Sequence, residues 1–325
     1  MQTLSPVLTL PDAAYTPVGA EVYRGLTATP KHLAPWLFYD QPGSRLFEAI
    51  TRLPEYYPTR IERGIFARHA DEILESAGSR PLTMIELGAG TAEKTGLLLK
   101  AAIRRQHTVD YIPIDVSESA LAAAKEHLEA EISGVRVAAR VADYTEGIAK
   151  IPAPGQRRMV LYIGSSIGNF EPDEAVEILR MVRKRLTPGD LLLLGVDHVK
   201  DETTLLRAYD DAAGATAAFN KNILGRINRE LGANFNTRLF RHRARWNAEQ
   251  SRIEIYLESL IAQCAVIPAL ELEVRFARGE MIHTENSYKF TAESIGAIVE
   301  QAGFGMTRCW TDDREWFGVY LAVSH

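Results

Sequence analysis

Leu-Thr-Met-Ile-Glu-Leu-Gly-Ala-Gly-Thr, at residues 82–91, is the stretch that decides the fold. Its first six residues form a mostly apolar run that predicts a buried strand over 82–87, and a helix containing Leu97, Leu98 and Leu99 follows. Gly88 and Gly90, between strand and helix, permit a tight turn and let a ligand approach the backbone. We therefore predict a nucleotide-binding turn in an α/β sheet.

The alternation of strand and helix continues beyond this turn. Apolar runs predict further strands at 111–114, 135–141, 159–163 and 191–196, with helices between them. Continuous apolar strands separated by helices are typical of a parallel sheet that is covered on both faces. Runs at 306–310 and 316–322 predict a terminal hairpin, which adds an antiparallel strand. The predicted fold class is α/β and resembles the class I Rossmann-like methyltransferase sheet.

The segments outside this pattern predict a second lobe. Residues 25–60 are rich in aromatic residues and prolines and suggest shaped loops rather than regular elements, while a helical stretch is predicted near 203–229. We predict a flexible N-terminal arm, an inserted substrate-binding lobe and a cofactor-binding methyltransferase domain. The arm covers residues 1–20 and the substrate-binding lobe covers residues 21–60 and 200–287. The cofactor-binding domain covers residues 61–199 and 288–325.

Composition narrows the class of partner. The chain has 325 residues and a formal net charge of −5, which disfavours nucleic-acid binding. An arginine cluster at 238–245 suggests a solvated strand face, with an anion or RNA contact as the alternative. Cys264 and Cys309 fit neither a disulfide framework nor a zinc motif, and their apolar neighbours suggest buried thiols. No signal peptide and no apolar run of membrane-spanning length is recognisable. We expect a cytoplasmic monomer with a small-molecule substrate, no nucleic-acid partner and no membrane.

Two residues near the glycine turn indicate the class of nucleotide. Glu93 stands where the dinucleotide fingerprint has its third glycine, which argues against NAD. Asp115 ends the next predicted strand, where a carboxylate can accept hydrogen bonds from both ribose hydroxyls. The alternative role of Asp115 is to cap the following helix, but Ser117 already offers that cap. We predict that Asp115 binds ribose.

Four further polar residues are candidates for ligand contacts. Asp143 ends the third predicted strand and can accept the adenine amino group, with Tyr144 near the ring; the alternative is an ordinary loop acid. Lys94 opens the helix beside the glycine turn and can bind a carboxylate, although a lone lysine is usually only solvated. Asn169 follows the fourth strand and offers a donor and an acceptor that suit an amino acid, unless it is only a turn residue.

Several motifs carry a resemblance to a known family. They are Trp-Leu-Phe-Tyr-Asp at 36–40, Leu-Pro-Glu-Tyr-Tyr-Pro-Thr-Arg at 53–60, the glycine turn, Gly-Ser-Ser-Ile-Gly-Asn-Phe at 164–170 and Thr-Glu-Asn-Ser at 284–287. Over nearly the whole chain beyond residue 20, the sequence resembles the ergothioneine-pathway L-histidine N-alpha-methyltransferases. The resemblance implies that S-adenosylmethionine (SAM) is the methyl donor, that no metal is needed, and that the alpha-amine of L-histidine is trimethylated to hercynine, the first step of ergothioneine biosynthesis.

The resemblance also implies residue roles. Tyr56, Asn169 and Tyr209 match the residues that hold histidine. Glu285 and Ser287 match the residues that recognise its imidazole ring. Tyr39 matches an aromatic residue near the reacting amine. Gly88, Lys94, Asp115, Asp143 and Tyr144 fall on cofactor positions. The sequence departs from the family at Asn286, where an apolar residue is expected, and at Ile255, where some relatives carry methionine.

Three other functions are weighed against this one. A methyltransferase of the same family could act on another aromatic amino acid such as tryptophan, but Glu285 and Ser287 argue against it. An NAD-dependent oxidoreductase is disfavoured by Glu93 and by the lack of a recognisable catalytic His or Tyr-Lys pair. A catalytically silent cofactor-binding protein is disfavoured by the presence of Tyr56, Asn169 and Tyr209.

Overall fold

The computed structural model describes residues 11–142, 144–149, 151 and 155–325, and only the backbone of residues 144 and 145. The chain divides into two compact units. The sheet unit consists of Glu48–Ala208, Trp246–Ile253 and Asn286–His325, and the accessory unit consists of Met1–Phe47, Tyr209–Arg245 and Glu254–Glu285. The predicted assignment of segments to cofactor and substrate roles stays a prediction.

The helices and strands follow one another in chain order with short connections. The α-helices are α1 (Pro17–Thr27), α2 (Gln41–Thr51), α3 (Tyr57–Ser76), α4 (Thr95–Gln106), α5 (Glu118–Glu131), α6 (Tyr144–Ala149), α7 (Pro172–Arg185), α8 (Glu202–Tyr209), α9 (Ala215–Leu231) and α10 (Ala292–Gln301). The strands are β1 (Leu82–Leu87), β2 (Val109–Asp115), β3 (Val135–Val137), β4 (Arg140–Val141), β5 (Arg157–Tyr162), β6 (Leu191–Asp197), β7 (Phe240–Asn247), β8 (Arg252–Ser259), β9 (Gln263–Ile267), β10 (Leu272–Phe276), β11 (Met281–Tyr288), β12 (Phe304–Thr311) and β13 (Phe317–Ser324).

The main sheet confirms the predicted fold class. Its strand order is β12-β13-β6-β5-β1-β2-β3, with β4 also paired to β2. Neighbours from β6 through β3 are parallel, whereas β13 runs antiparallel to β6 and β12 antiparallel to β13. The terminal hairpin therefore extends a parallel sheet by antiparallel strands, as the two C-terminal apolar runs predict.

Helices cover both faces of this sheet because its strands are apolar on both sides. In β1, Met84 packs into one core with side chains of α3 and α4, while Ile85 packs into the other core with side chains of α7 and α10. Alternation of side chains along a strand sends neighbouring residues to opposite faces, which explains the continuous apolar run. Both cores lie within the sheet unit.

Three helices of the sheet unit begin at residues that commonly start helices, and Ser117 is the cap predicted above. The Ser117 side chain accepts a hydrogen bond from the Ala120 N–H and caps α5. Thr291 caps α10 through the Ser294 N–H. Pro172 stands at the first position of α7, where its missing N–H leaves no hydrogen bond unmade.

The N-terminal segment differs from the prediction of loops over 25–60. The regular helices α1 and α2 each span 11 residues there. Pro17 occupies the first helical position and Thr16 caps it by accepting a hydrogen bond from Gly19, so α1 begins inside the predicted arm. The aromatic and proline content obscured these short helices, and residues 1–10 of the arm lie outside the described part of the chain.

Two other predictions are corrected. The helix predicted near 203–229 is interrupted between α8 and α9, where the Asp211 carboxylate accepts hydrogen bonds from the N–H groups of Ala215 and Thr216 and so caps α9. Cys264 and Cys309 are exposed rather than buried. Alternation places Cys264 on the outward face of β9, whereas Cys309 lies in the exposed run 306–309 of β12, the strand at the edge of the sheet. Among the described residues, no helix is long and apolar enough to cross a membrane.

Candidate active site

The glycine turn follows β1 in a backbone conformation that requires glycine. Gly88 has φ 70° and Gly90 has φ 52°, values that residues with a side chain rarely adopt. The Gly88 N–H donates to the Ile114 carbonyl at 2.9 Å, which ties the turn to the end of β2. A Cβ built on Gly90 would meet no atom within 4 Å, so the space beside the turn is open to a ligand.

Asp115, the last residue of β2, holds the glycine turn through hydrogen bonds, and its ribose contact stays a prediction. Its Oδ2 accepts from the Gly90 N–H at 2.9 Å and its Oδ1 from the Ser117 N–H at 2.8 Å. Burial raises the pKa of this carboxyl, and the two backbone donors oppose the rise. Each carboxylate oxygen can accept more than one hydrogen bond, so both oxygens retain capacity for ribose hydroxyls.

Glu86, inside β1, is a buried acid whose environment the sequence did not reveal. Its Oε2 accepts hydrogen bonds from the Tyr111 hydroxyl and, at 2.7 Å, from the Thr95 hydroxyl. Burial raises the pKa of Glu86 to about 7, against the effect of these two donors. A proton on this residue is therefore stabilised just before the glycine turn.

Lys94 is paired with a buried carboxylate that sequence reasoning missed. Its Nζ forms an ion pair with Glu62 of α3, whose side chain is fully buried. The Gly164 N–H, just after β5, donates to both carboxylate oxygens of Glu62 at 2.8 and 3.1 Å. The signal was available, because Glu62 lies one turn before Ile65 and Phe66 on the apolar stripe of α3.

The segment after β5 brings Asn169 beside the last part of β11. Ser165 adopts φ 61°, and its Oγ accepts from the Asp197 N–H at 2.9 Å, which joins the ends of β5 and β6. A short 3-10 helix, Ser166–Asn169, follows. A Cβ on Gly168 would lie 2.8 Å from the Tyr288 carbonyl oxygen, so only glycine allows this close approach. Half-buried Asn169 thus lies near the strand that carries Ser287.

Ser287 and Tyr56 adjoin a buried polar network at the end of β6. The Ser287 Oγ accepts a hydrogen bond from Lys289 Nζ at 2.8 Å. Tyr56 is half-buried at the start of α3, and the hydroxyl of the next residue, Tyr57, donates to Asp197 at 2.7 Å. Asp197 directly follows the predicted fifth strand, so a carboxylate at a strand end was the signal that could have identified it.

In the accessory unit, Tyr39 belongs to an aromatic cluster. Its ring contacts Phe47 and Phe219 edge to face, with centroid separations of 5.8 and 5.6 Å. The following residue, Asp40, accepts from the Asn222 amide at 2.7 Å and is paired with Arg229. These contacts hold the Tyr39 ring and the side chain of the residue that follows it.

A buried chain of hydrogen bonds supports Tyr209 and the residue before Glu285. His242 Nε2 donates to the Tyr209 carbonyl at 2.8 Å, so its Nδ1 accepts from the Asn220 amide at 2.9 Å. Asn220 Oδ1 in turn accepts from the Thr284 hydroxyl at 2.9 Å. Burial lowers the pKa of His242, which favours the neutral ring that this arrangement needs. Neither His242 nor Asn220 was singled out from the sequence.

The predicted site residues that the structure describes divide between the two units, with Tyr56 and Ser287 in the sheet unit. Gly88, Lys94, Asp115 and Asn169 follow β1, β2 or β5 at the carboxyl edge of the parallel strands, where ligands bind in this sheet class. Tyr39, Tyr209 and Glu285 belong to the accessory unit. Asp143 and the side chain of Tyr144 lie outside the described residues. The described residues contain no group of three or more His, Cys, Asp or Glu side chains placed to hold a metal ion.

Comparison with known proteins gives matches over almost the full length. A family model described as "Histidine-specific methyltransferase, SAM-dependent" matches residues 18–324. The chain is 47% identical over 312 residues to the histidine N-alpha-methyltransferase of Mycolicibacterium smegmatis, covering 96% of each chain. It is 44% identical over 313 residues to that of Mycobacterium tuberculosis, covering 96% and 97%. It is also 30% identical over 277 residues to ergothioneine biosynthesis protein 1 of Schizosaccharomyces pombe, covering 82% of this chain and 36% of the relative.

Proposed function

The chain belongs to the family of histidine-specific, SAM-dependent methyltransferases, and from this premise we propose that it trimethylates the alpha-amine of L-histidine. The product is hercynine, and the reaction is the first step of ergothioneine biosynthesis. The observation that carries this function is the 47% identity to a histidine N-alpha-methyltransferase across 96% of both chains. Such identity favours histidine over the alternative of a tryptophan-type substrate.

The glycine turn and its neighbours suit the methyl donor. We propose that Gly88 and Asp115 bind its nucleoside part, supported by the open space beside Gly90 and by the free acceptor capacity of both Asp115 oxygens. For Lys94 we propose contact with the donor's carboxylate, because the Glu62 pairing holds its ammonium next to the end of β5. The adenine contacts of Asp143 and Tyr144 stay predictions.

The histidine contacts are also proposals. Asn169 and Tyr209 would hold the amino-acid end together with Tyr56, while Glu285 and Ser287 would read the imidazole. The local geometry supports the second pair, because residues two apart on a strand point to the same face and both belong to β11. Asn286, the departure from the family, points to the opposite face, where its amide donates to Glu171 at 3.0 Å.

The chemistry requires positioning more than acid–base groups. SAM supplies a methyl group on a sulfonium, whose positive charge passes to the amine during transfer. The chain must hold a neutral amine in line with that methyl group, and such alignment is a major source of rate enhancement. Tyr39 and Tyr56 are candidates to stabilise the methylated ammonium by cation–π contact, worth about 0.5–2 kcal/mol. We propose proton loss to solvent, since the sequence suggests no dedicated base.

One experiment tests the proposed function. The purified protein is incubated with SAM and a panel of free amino acids that includes histidine and tryptophan, and the products are analysed by mass spectrometry. We expect a mass gain of three methyl groups on histidine. No gain on histidine would overturn the proposal, and a gain on tryptophan instead would favour the alternative.

The expectation of a cytoplasmic monomer stays a prediction.

A further inference from the structure

A buried network of charged residues lies behind Ser287 in the sheet unit. Asp197 accepts from Lys200 at 2.6 Å through Oδ1 and pairs with Lys289 at 3.1 Å through Oδ2. The exposed fractions of the three side chains are 1%, 3% and 0%. Tyr57 donates to Asp197 at 2.7 Å and accepts from Lys200 at 2.9 Å. One carboxylate is thus shared by two buried ammonium groups.

Two lysines are more than the neutralisation of one aspartate needs. Burying an ion is costly, so each of these ammonium groups needs compensating contacts beyond its share of Asp197. Burial lowers the pKa of Lys200 to about 8, whereas Lys289 and Lys200 lower the pKa of Asp197 despite its burial. Beyond Asp197 the two lysines have different partners. Lys200 donates to the Tyr57 hydroxyl at 2.9 Å and to the His198 carbonyl, whereas Lys289 donates to the Ser287 Oγ at 2.8 Å.

That contact determines how the Ser287 hydroxyl is oriented. An ammonium carries only donors, so the Ser287 oxygen must be the acceptor in this hydrogen bond. The hydroxyl hydrogen then points away from Lys289, and Ser287 presents a donor in another direction. Glu285, on the same face of β11, is an acceptor when ionised. The strand therefore offers one donor and one acceptor, two residues apart.

We propose that Lys289 is a positioning residue that fixes Ser287 as a hydrogen-bond donor and thereby selects a ring with an unprotonated nitrogen. A neutral imidazole has one N–H and one bare nitrogen, which complement Glu285 and Ser287. Indole and benzene rings lack the bare nitrogen, and an imidazolium has a second N–H in its place. The inference rests on the proposed function, because it concerns how the substrate ring is recognised.

The chain offers a matched control. Lys289→Met removes the donor to Ser287, while Asp197 keeps Lys200 and Tyr57 as partners. Lys200→Met removes an ammonium of similar burial from the same carboxylate and leaves the contact between Lys289 and Ser287 in place. A general effect of disturbing the network would appear in both variants, whereas loss of Ser287 orientation would appear only in the first.

The readout is the dissociation constant of L-histidine, measured by calorimetry with S-adenosylhomocysteine present, beside kcat and KM. For Lys289→Met we expect affinity to fall about 3- to 10-fold, the size of one neutral hydrogen bond, with kcat changed less than about twofold. For Lys200→Met we expect a change in affinity within about twofold. In a Ser287→Ala background, Lys289→Met should have no further effect. Equal losses in the two lysine variants, or an additive loss in the Ser287→Ala background, would overturn the inference.

A pH profile supplies a readout that a merely structural role would not change. Histidine binding to the wild type should weaken as pH falls through the imidazole pKa of about 6.5, because the ring nitrogen gains a proton facing the Ser287 donor. In Lys289→Met the hydroxyl can turn and accept, so the weakening should be smaller. The titratable groups around Lys289 are Asp197, Lys200 and Tyr57, and Glu285 shares the ring-facing side of β11. Lys200, with its pKa of about 8, stays charged across this range.

Failure of this inference differs from failure of the proposed function. A wild-type protein that does not methylate histidine refutes the function, whereas unchanged histidine affinity and an unchanged pH profile in an active Lys289→Met variant refute the positioning role alone. If Lys289→Met does not fold, Ser287→Ala provides the second test, since it leaves Lys289 paired with Asp197 and removes only the hydroxyl donor. A wild-type-like pH profile in Ser287→Ala would mean that no Ser287 donor faces the ring nitrogen, and would overturn the inference.

Discussion

Glu86→Gln should stabilise the protein at alkaline pH and leave it little changed in acid. The pKa of Glu86 is raised by burial from 4.5 to about 7, so folding favours the protonated form. A raised folded-state pKa contributes stability that is fully present below the unfolded value and is lost as pH rises through the folded one. Between about pH 5 and about pH 8.5 the wild type should lose about 2–3 kcal/mol of stability from this residue.

Glutamine is the suitable replacement because its carbonyl can still accept from Tyr111 and Thr95, and it never ionises. The free energy of unfolding is measured by urea titration at several pH values for both proteins. The difference between them is the readout, since His242, whose pKa is lowered, changes wild-type stability in the opposite direction. Glu249→Gln, at an exposed turn residue, is the control. A difference that stays constant across the pH range would refute the reasoning.

Three further predictions concern the methyl-donor site, the substrate and the fold. Asp115→Asn should weaken SAM binding about 10- to 100-fold, since a charged acceptor for ribose is lost; calorimetry checks this, and unchanged affinity would contradict ribose binding. Glu285→Ala should lower histidine affinity by about 1.5–3 kcal/mol and relax selectivity toward other aromatic amino acids; equal calorimetric affinity would remove Glu285 from the site. Gly195→Ala should lower the melting temperature, because the new Cβ collides with the Glu62 carboxylate, at a cost of about 1–3 kcal/mol; an unchanged melting curve would mean that Glu62 moves freely.

The sequence predicts the parts of the fold that depend on local pattern. β1 has the predicted bounds, because an apolar run flanked by a glycine turn depends on nothing distant. Ser117 and Thr291 cap their helices for the same reason. The short helices α1 and α2 were missed, since eleven residues contain too few turns for a clear apolar period beside prolines and aromatic residues.

The site could be predicted only in part. Residues at strand ends, such as Asp115 and Asn169, follow from the general geometry of parallel sheets. Glu62 contacts the Gly164 N–H across 102 positions of sequence, so its role depends on how α3 packs beside β5. The proposed role of Lys289 likewise depends on its ion pair with Asp197, which lies on another strand. Such partners are set by tertiary packing, which no local pattern encodes.

The course of β11 limits how this enzyme could be re-engineered by exchanging parts. Glu285 is the last residue of one compact unit and Asn286 the first of the next segment of the other, yet a single strand runs through both. A chimera joined at that boundary would take Glu285 from one parent protein and Ser287 from the other. A junction that gained or lost one residue would turn the side chains after it to the opposite face of the strand. Grafting a new substrate preference onto this scaffold therefore calls for a crossover outside 281–288, with the whole strand inherited from one parent.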